Sequence, residues 1–303
     1  MTNLGQLRLQ LLNKQLFFMR LLTLTALLSL MLLSFCAQKE APSTTPVTPT
    51  PTTPTTPTTP VVTDTVKKLV WSDEFNSGTR PDTSKWVYNI GTGSNGWGNN
   101  EAQYYTSDST NARIENGSLI IEARKESRGG KNYTSARLIT QGKASWTYGR
   151  IEVRAKLPKG VGTWPAIWML GDNINTVNWP ACGEIDIMEH VGKEQDMVLW
   201  STHSKLNNWA LGTQKTFKTT VDGVSTAFHI YKIEWSKDYI QFFVDDKLYY
   251  TSPNEGKGTD YYPFTAPQFL LLNFAVGGNL GGPAIDDSIF PAKFEIDYVR
   301  VYQ

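Results

Sequence analysis

Gly183-Glu184-Ile185-Asp186-Ile187-Met188-Glu189-His190 is the stretch whose reading decides the fold. Polar residues alternate with β-branched isoleucines, the period-two pattern of a strand, which sets Glu184 and Asp186 on one face. Glu189 lies an odd number of residues from both, so a regular strand turns it away. One extra residue near Met188, a β-bulge, returns it to their side, and bulges are frequent beside active sites. The spacing therefore predicts a bulged strand with three carboxylates on one surface. Like charges that close raise at least one pKa, a cost that function explains better than stability does.

Such a surface suits one chemistry. Retaining glycosidases use two carboxyl groups about 5 Å apart, one as nucleophile and the other as acid and then base. Along a bulged strand the Cα atoms of Glu184 and Glu189 stand roughly 13 Å apart, at about 3.3 Å per residue. Two glutamates leaning inward close that gap. Asp186, between them, orients a neighbour and helps the acid keep its proton. Taken alone, an acidic strand is more often an ordinary amphipathic strand with a solvated face, and it is the surrounding sequence that reverses the reading.

Strand signals dominate residues 67–303. Ile151-Glu152-Val153-Arg154-Ala155-Lys156-Leu157 alternates apolar and charged side chains until Pro158-Lys159-Gly160 stops it. Ile240-Gln241-Phe242-Phe243-Val244 and Lys247-Leu248-Tyr249-Tyr250 flank Asp245-Asp246, a hairpin with a two-residue turn. Phe294-Glu295-Ile296-Asp297-Tyr298-Val299-Arg300-Val301-Tyr302 predicts a final strand. No long helical stripe and no internal repeat stand out. Many short strands broken by Gly, Asn and Pro predict an all-β sandwich of two antiparallel sheets. All ten tryptophans lie between Trp71 and Trp235. Indoles fill sandwich cores, and they also stack on the apolar faces of sugars. Only the grouping of Trp164, Trp168 and Trp179 near the acids favours the second use. Polar side chains in Trp97-Gly98-Asn99-Asn100-Glu101 and Ser135-Ala136-Arg137 are suited to bonding hydroxyls.

The chain of 303 residues carries a net charge of +1, which argues against nucleic acid as its main partner. Residues 21–35 form an apolar run behind Arg20. It is short for a membrane span of about 20 residues and suits a signal-peptide core. Met19-Arg20 looks like a more typical start, so residues 1–18 read as an overlong leader or as lying upstream of the true start. Cys36 ends the run in Leu33-Ser34-Phe35-Cys36, which resembles a bacterial lipobox, although Phe35 departs from the small residue that pattern prefers. Ordinary secretion with cleavage nearby is the alternative. Gln38-Lys39-Glu40 resembles the surface-export tags of some lipoproteins. Residues 37–66 hold Thr-Thr-Pro repeats with little to bury and predict an extended stalk. The expected organisation is thus a leader over 1–36 with a lipidated Cys36, a linker over 37–66 and a catalytic domain over 67–303. The expected site is the outer membrane or cell surface, with the membrane met only through the lipid. Cys182 is then left without an intrachain partner and reads as a small buried apolar residue.

Across residues 68–303 the chain closely resembles glycoside hydrolase family 16, in particular its bacterial laminarinase branch. The resemblance is carried by Leu69-Val70-Trp71-Ser72-Asp73-Glu74-Phe75, Trp97-Gly98-Asn99-Asn100-Glu101 and Tyr148-Gly149-Arg150-Ile151-Glu152. It continues through Gly162-Thr163-Trp164-Pro165-Ala166-Ile167-Trp168-Met169-Leu170, the acidic motif itself and Asn273-Phe274-Ala275-Val276-Gly277-Gly278. It implies a β-jelly roll with a concave, cleft-bearing sheet and an endo-acting retaining mechanism that needs no catalytic cofactor. By motif position Glu184 is the nucleophile, Glu189 the acid/base and Asp186 their assistant. The extra residue before Glu189 matches β-1,3-glucanases; lichenases usually lack it. Trp164 and Trp168 fall where the family lines the subsites nearest the cleaved bond, and Arg137 and Asn100 match contacts to sugar on the non-reducing side; Trp179 is a candidate for sugar contact only by its place just before the acids. His203 is a further cleft residue or a satisfied sheet histidine. The family also implies a structural Ca²⁺ away from the cleft, bound by backbone oxygens and an acid near the final strand, with Glu74, Gly117 and Asp297 at the matching positions; oxygen ligands suit that ion, and plain surface acids are the alternative reading of Glu74 and Asp297.

The resulting expectation is a monomeric endo-β-1,3-glucanase acting on laminarin-like polysaccharide at a bacterial envelope. Mixed-linkage glucan or a galactan is the alternative substrate. A lectin-like glucan binder predicts an incomplete acidic triad, and here all three members are present.

Overall fold

The computed structural model describes residues 67–303; the leader, Cys36 and the Thr/Pro-rich linker lie outside the described residues. Two antiparallel sheets form the expected jelly-roll sandwich. The first carries the acids. It runs, in spatial order, β12 (Lys215–Thr220), β11 (Met197–His203), β10 (Glu184–His190), β9 (Thr163–Gly171), β16 (Gln268–Val276), β7 (Arg137–Ile139) and β2 (Val87–Tyr88). The second runs β15 (Lys247–Pro253), β14 (Tyr239–Val244), β13 (His229–Trp235), β8 (Gly149–Lys156), β17 (Ala292–Tyr302), β5 (Ser118–Ala123) and β4 (Ala112–Glu115), with β1 (Leu69–Asp73) also paired to β17. A short parallel pair, β3 (Gln103–Tyr105) and β6 (Tyr133–Ser135), stands apart.

The alternation read from the sequence explains the second sheet. Along β8, Ile151, Val153 and Ala155 are buried while Arg150, Glu152, Arg154 and Lys156 are half-buried on the outer side. The β14–β15 hairpin turns at Asp245 and Asp246 with φ of 49° and 67°. Positive φ at both central residues is the turn whose twist matches the strands, and aspartate tolerates it. The core lies between the sheets. Ile151, Val153, Phe294 and Ile296 meet Ile185, Ile187, Met188, Leu270 and Leu272 there. Each such side chain stabilises the fold by about 1.5–3 kcal/mol relative to exposure. In β16 all nine residues are buried, because one face meets the core and the other lies beneath the cleft.

The expected bulge is present. Against β9, Asp186 is opposite Trp168 and Met188 opposite Ile167, so two steps on β10 match one on β9. Against β11 the shift likewise falls between Asp186 and Glu189. Ile187 and Met188 consequently both point into the core, fully buried, and Glu189 rejoins Glu184 and Asp186 on the cleft face.

Glu74, Gly117 and Asp297 come to the place in the second sheet where β17 passes from β5 to β1 as its ladder partner. Asp297 sits at a second bulge, between Ile296 and Tyr298. Its neighbours Ile296 and Val299 pair with Leu119 and Asp73, close to Gly117 and Glu74. Both carboxylates are nevertheless committed to arginines. Arg300 donates to Glu74 through Nε at 3.0 Å and Nη2 at 2.8 Å, and Arg154 donates to Asp297 at 2.6 Å. The Arg300 hydrogen bonds hold Glu74 below the usual carboxylate range. As a set of side-chain ligands these residues do not fit a metal ion; what they bring together is main chain at a bulge.

Candidate active site

The cleft occupies the outer face of the first sheet, with a volume of about 620 Å³. Gly183 enters β10 at φ 84°, and a Cβ there would lie 2.9 Å from Pro263. Only glycine gives both that turn and that close approach. Ladder partners then set what surrounds each acid. Glu184 lies between Leu170 and His203, Asp186 between Trp168 and Ser201, and Glu189 between Ala166 and Leu199.

Each glutamate is held by an indole. Trp179 donates through Nε1 to Oε2 of Glu184 at 2.7 Å, and Trp164 through Nε1 to Oε1 of Glu189 at 3.0 Å. Trp168, the third tryptophan expected at the cleft, donates to Asn273 Oδ1 at 2.6 Å. Asn273 in turn donates to the Tyr105 hydroxyl at 3.0 Å, which donates to buried Glu101 at 3.1 Å. Residues from β9, β16 and β3 thus lock one ring. His203 Nε2 lies 3.3 Å from Asp186 Oδ2 and 3.8 Å from Glu184 Oε1. It is both a cleft residue and a partner of the acids.

Burial and repulsion raise the pKa of both Glu189 and Asp186. Glu189 rises to about 7, chiefly because its carboxyl is desolvated; the Trp164 bond opposes the rise and the Glu184 charge adds to it. Asp186 is raised well above the ordinary range, first by burial and then by Glu184 and Glu189. For His203 burial works against the charged form, but Glu184 and Asp186 outweigh it and carry its pKa to about 9. Near neutrality the site therefore holds a carboxyl poised between its two forms at Glu189 and an imidazolium beside Glu184 and Asp186.

Arg137 is buried at the opposite end of the cleft. Its guanidinium is sandwiched between Trp97 at 4.5 Å and Trp168 at 4.8 Å, and its Nε donates to Asn89 at 3.1 Å. Asn100 departs from expectation. Its side chain donates to Asn279 at 2.8 Å outside the cleft lining, and Asn99 and Asn279 reach the cleft in its place. The cause is local. Trp97, Gly98 and Asn100 all have positive φ, a tight turn that no periodicity reveals. Gly278 supports that turn, since a Cβ there would come 2.9 Å from the Asn99 carbonyl and 3.2 Å from Trp164. Sequence reasoning also missed Trp209, Gln214 and Thr216, which line the cleft beside His203. The loop and the start of β12 that hold them carry no motif, and only the fold brings them to the acids. Of the ten tryptophans, Trp97, Trp164, Trp168, Trp179 and Trp209 line the cleft, while Trp86, Trp146, Trp200 and Trp235 are buried in the core with Trp71 packed against it. Cys182 is buried, and burial pushes its thiol up to about 11. It is no nucleophile.

Three comparisons with known proteins agree with this geometry. The model of the glycosyl hydrolases family 16 matches residues 99–300. A beta-glucanase of Rhodothermus marinus is 52% identical over 246 residues, covering 78% of this chain and 85% of that protein. The crystal structure of the laminarinase from Rhodothermus marinus superposes with a TM-score of 0.76 at 52% identity, over 78% of this chain and 97% of that one. That of the laminarinase from Flavobacterium sp. UMI-01 gives 0.73 at 50% identity, over 78% and 100%. On the extent of these matches, the chain belongs to glycosyl hydrolase family 16.

Proposed function

We propose that the protein is an endo-β-1,3-glucanase that cleaves laminarin-like polysaccharide with retention of anomeric configuration. The observation that carries this reading is the bulge at Ile187 and Met188, which aims Glu184 and Glu189 into one tryptophan-lined cleft. The laminarinase and beta-glucanase similarities supply the substrate class.

The geometry assigns the two glutamates different work. Trp179 holds one oxygen of Glu184 and leaves Oε1 to attack the anomeric carbon. Trp164 occupies Oε1 of Glu189, so Oε2 carries the proton to the glycosidic oxygen as that bond breaks. Once Glu184 is esterified its charge is gone, and one of the contributions raising Glu189 disappears with it. The Glu189 pKa then falls, so the residue stays ionised after giving up its proton and is free to accept one from the water that releases the sugar. His203 Nε2, 3.3 Å from Asp186 Oδ2 and 3.8 Å from Glu184 Oε1, is an ion-pair partner of both and helps to keep the Glu184 carboxylate oriented. In Glu184→Ser the fold persists and turnover on laminarin falls at least about 10³-fold, as loss of a covalent nucleophile requires. Reducing-end assays on laminarin, lichenan and agar, with the product anomer followed by NMR, check linkage and retention together. Inverted product, or faster cleavage of lichenan or agar, would contradict the assignment.

The pH profile has a defined sign. Glu189 must be protonated for the first step, so kcat/KM falls as pH rises through about 7. The Trp164 bond stabilises the ionised form. Trp164→Phe therefore moves the alkaline limb to higher pH, as rate profiles of the two proteins will read out.

Two further assignments extend the reading. A Ca²⁺ ion at the place shared by Glu74, Gly117 and Asp297 would be held by main-chain oxygens, with the Asp297 carboxylate released from Arg154. An ion bound at about a hundred times its Kd adds roughly 2.7 kcal/mol, so excess chelator is expected to lower Tm by several degrees. Superimposable melting curves would remove the ion from the account. Anchoring to the bacterial envelope through an acylated Cys36, with residues 37–66 as linker, would set the domain where polymeric glucan is met. Detergent-phase partitioning that Cys36→Ser abolishes is the expected result; unchanged partitioning would leave plain secretion.

A further inference from the structure

Beside the acids the sheet gives way to a loop, residues 204–214, between β11 and β12. It carries three of the exposed large apolar side chains of the domain, Leu206 at 42%, Trp209 at 47% and Leu211 at 60% exposure. The loop is tightly built. Asn208 is buried, and its side chain donates to the carbonyls of Ser204 at 3.1 Å and Lys205 at 3.2 Å while accepting from the Leu211 N–H at 3.2 Å. Its own N–H donates to Thr213 Oγ1 at 3.2 Å. A side chain that satisfies so many main-chain groups fixes the loop's shape, so the exposure of Trp209 is held in place by design of the backbone.

The position of that indole has a consequence for substrate. Its ring centre lies 6.1 Å from that of Trp179, tilted by 35°. Trp179 is the residue bonded to Glu184, and its own ring lies 6.1 Å from His203. The aromatic surface therefore continues from the nucleophile outward onto the loop. Gln214 and Thr216 flank it on the same cleft wall and offer hydrogen-bonding groups. An exposed aromatic face rimmed by amide and hydroxyl fits the alternating apolar faces and hydroxyl edges of a sugar ring. At the other end of the cleft Trp97 and Trp168 have no comparable freedom, because Arg137 is stacked on both.

We propose that Trp209 is an outer platform for a pyranose unit remote from the cleaved bond, and that it makes the enzyme favour long glucan over short oligosaccharide. The proposal rests on the glucanase reading above. Stacking by one indole contributes binding and no chemistry, so its loss raises KM on polymer and leaves kcat in place.

The test compares Trp209→Ala and Trp209→Phe with the wild type on laminarin and on the shortest β-1,3-gluco-oligosaccharide that the wild type cleaves. In Trp209→Ala, KM for laminarin is expected to rise about tenfold, the value of one well-placed stack, and for the short substrate less than twofold. Trp209→Phe is expected to recover most of the loss. Equal rises on both substrates would mean that Trp209 acts through Trp179 and Glu184, and an unchanged KM on laminarin would remove the platform. Affinity of Glu184→Gln for the same two glucans, with and without Trp209→Ala, repeats the comparison without turnover. Wild-type activity on laminarin reports separately on the function itself: if the wild type cleaves lichenan instead, the long-to-short comparison is made on that polymer.

Discussion

One extra residue in one strand decides what this domain can do. A β-strand alternates faces, so the sequence from Glu184 to Glu189 in regular register would send its last glutamate into the core. The bulge spends Ile187 and Met188 together on the core side, and the hydrophobic burial of two adjacent side chains holds the carboxylate of Glu189 in the cleft. Packing on one face of the sheet thereby fixes chemistry on the other. The same burial that secures the register also desolvates the acids, which is why Glu189 lies near neutrality and not in the ordinary carboxylate range.

Around that strand the tryptophans divide their labour. Some fill the space between the sheets, where Trp235 donates its indole N–H to the Phe264 carbonyl at 2.9 Å and Trp86 donates to Asp73 at 2.7 Å. Others turn the N–H toward an acid or amide and leave a ring face to the cleft. Trp164 and Trp179 each do two things at once, orienting a catalytic oxygen and supplying an apolar wall. Specificity and acid–base tuning are therefore coupled in the same side chains. A change made to alter sugar binding near the cleaved bond will also move a pKa, whereas Trp209 contacts neither glutamate by any hydrogen bond and stands clear of that coupling.

Much of this was legible in the sequence because it rests on short-range rules. The alternation in Ile151–Leu157, the Asp245-Asp246 turn and the bulge at Met188 follow from period, turn chemistry and one misplaced glutamate. The roles of Glu184, Asp186 and Glu189 were likewise available from spacing and resemblance. What could not be read depends on backbone that breaks period. Positive φ at Trp97, Gly98 and Asn100 exchanges Asn99 for Asn100 at the cleft. The long-range chain from Trp168 through Asn273 and Tyr105 to Glu101 joins residues far apart in sequence. Arg300 and Arg154 take the carboxylates of Glu74 and Asp297 from neighbouring ladder positions, a competition that composition does not express.

The most direct measurement is urea unfolding of Ile187→Ala and Met188→Ala beside the wild type. If both consecutive side chains are core, each substitution lowers stability by about 1.5–5 kcal/mol, the range for truncating a buried aliphatic side chain. If either is tolerated within about 0.5 kcal/mol, as an exposed position would be, the strand is regular there and Glu189 does not face the cleft.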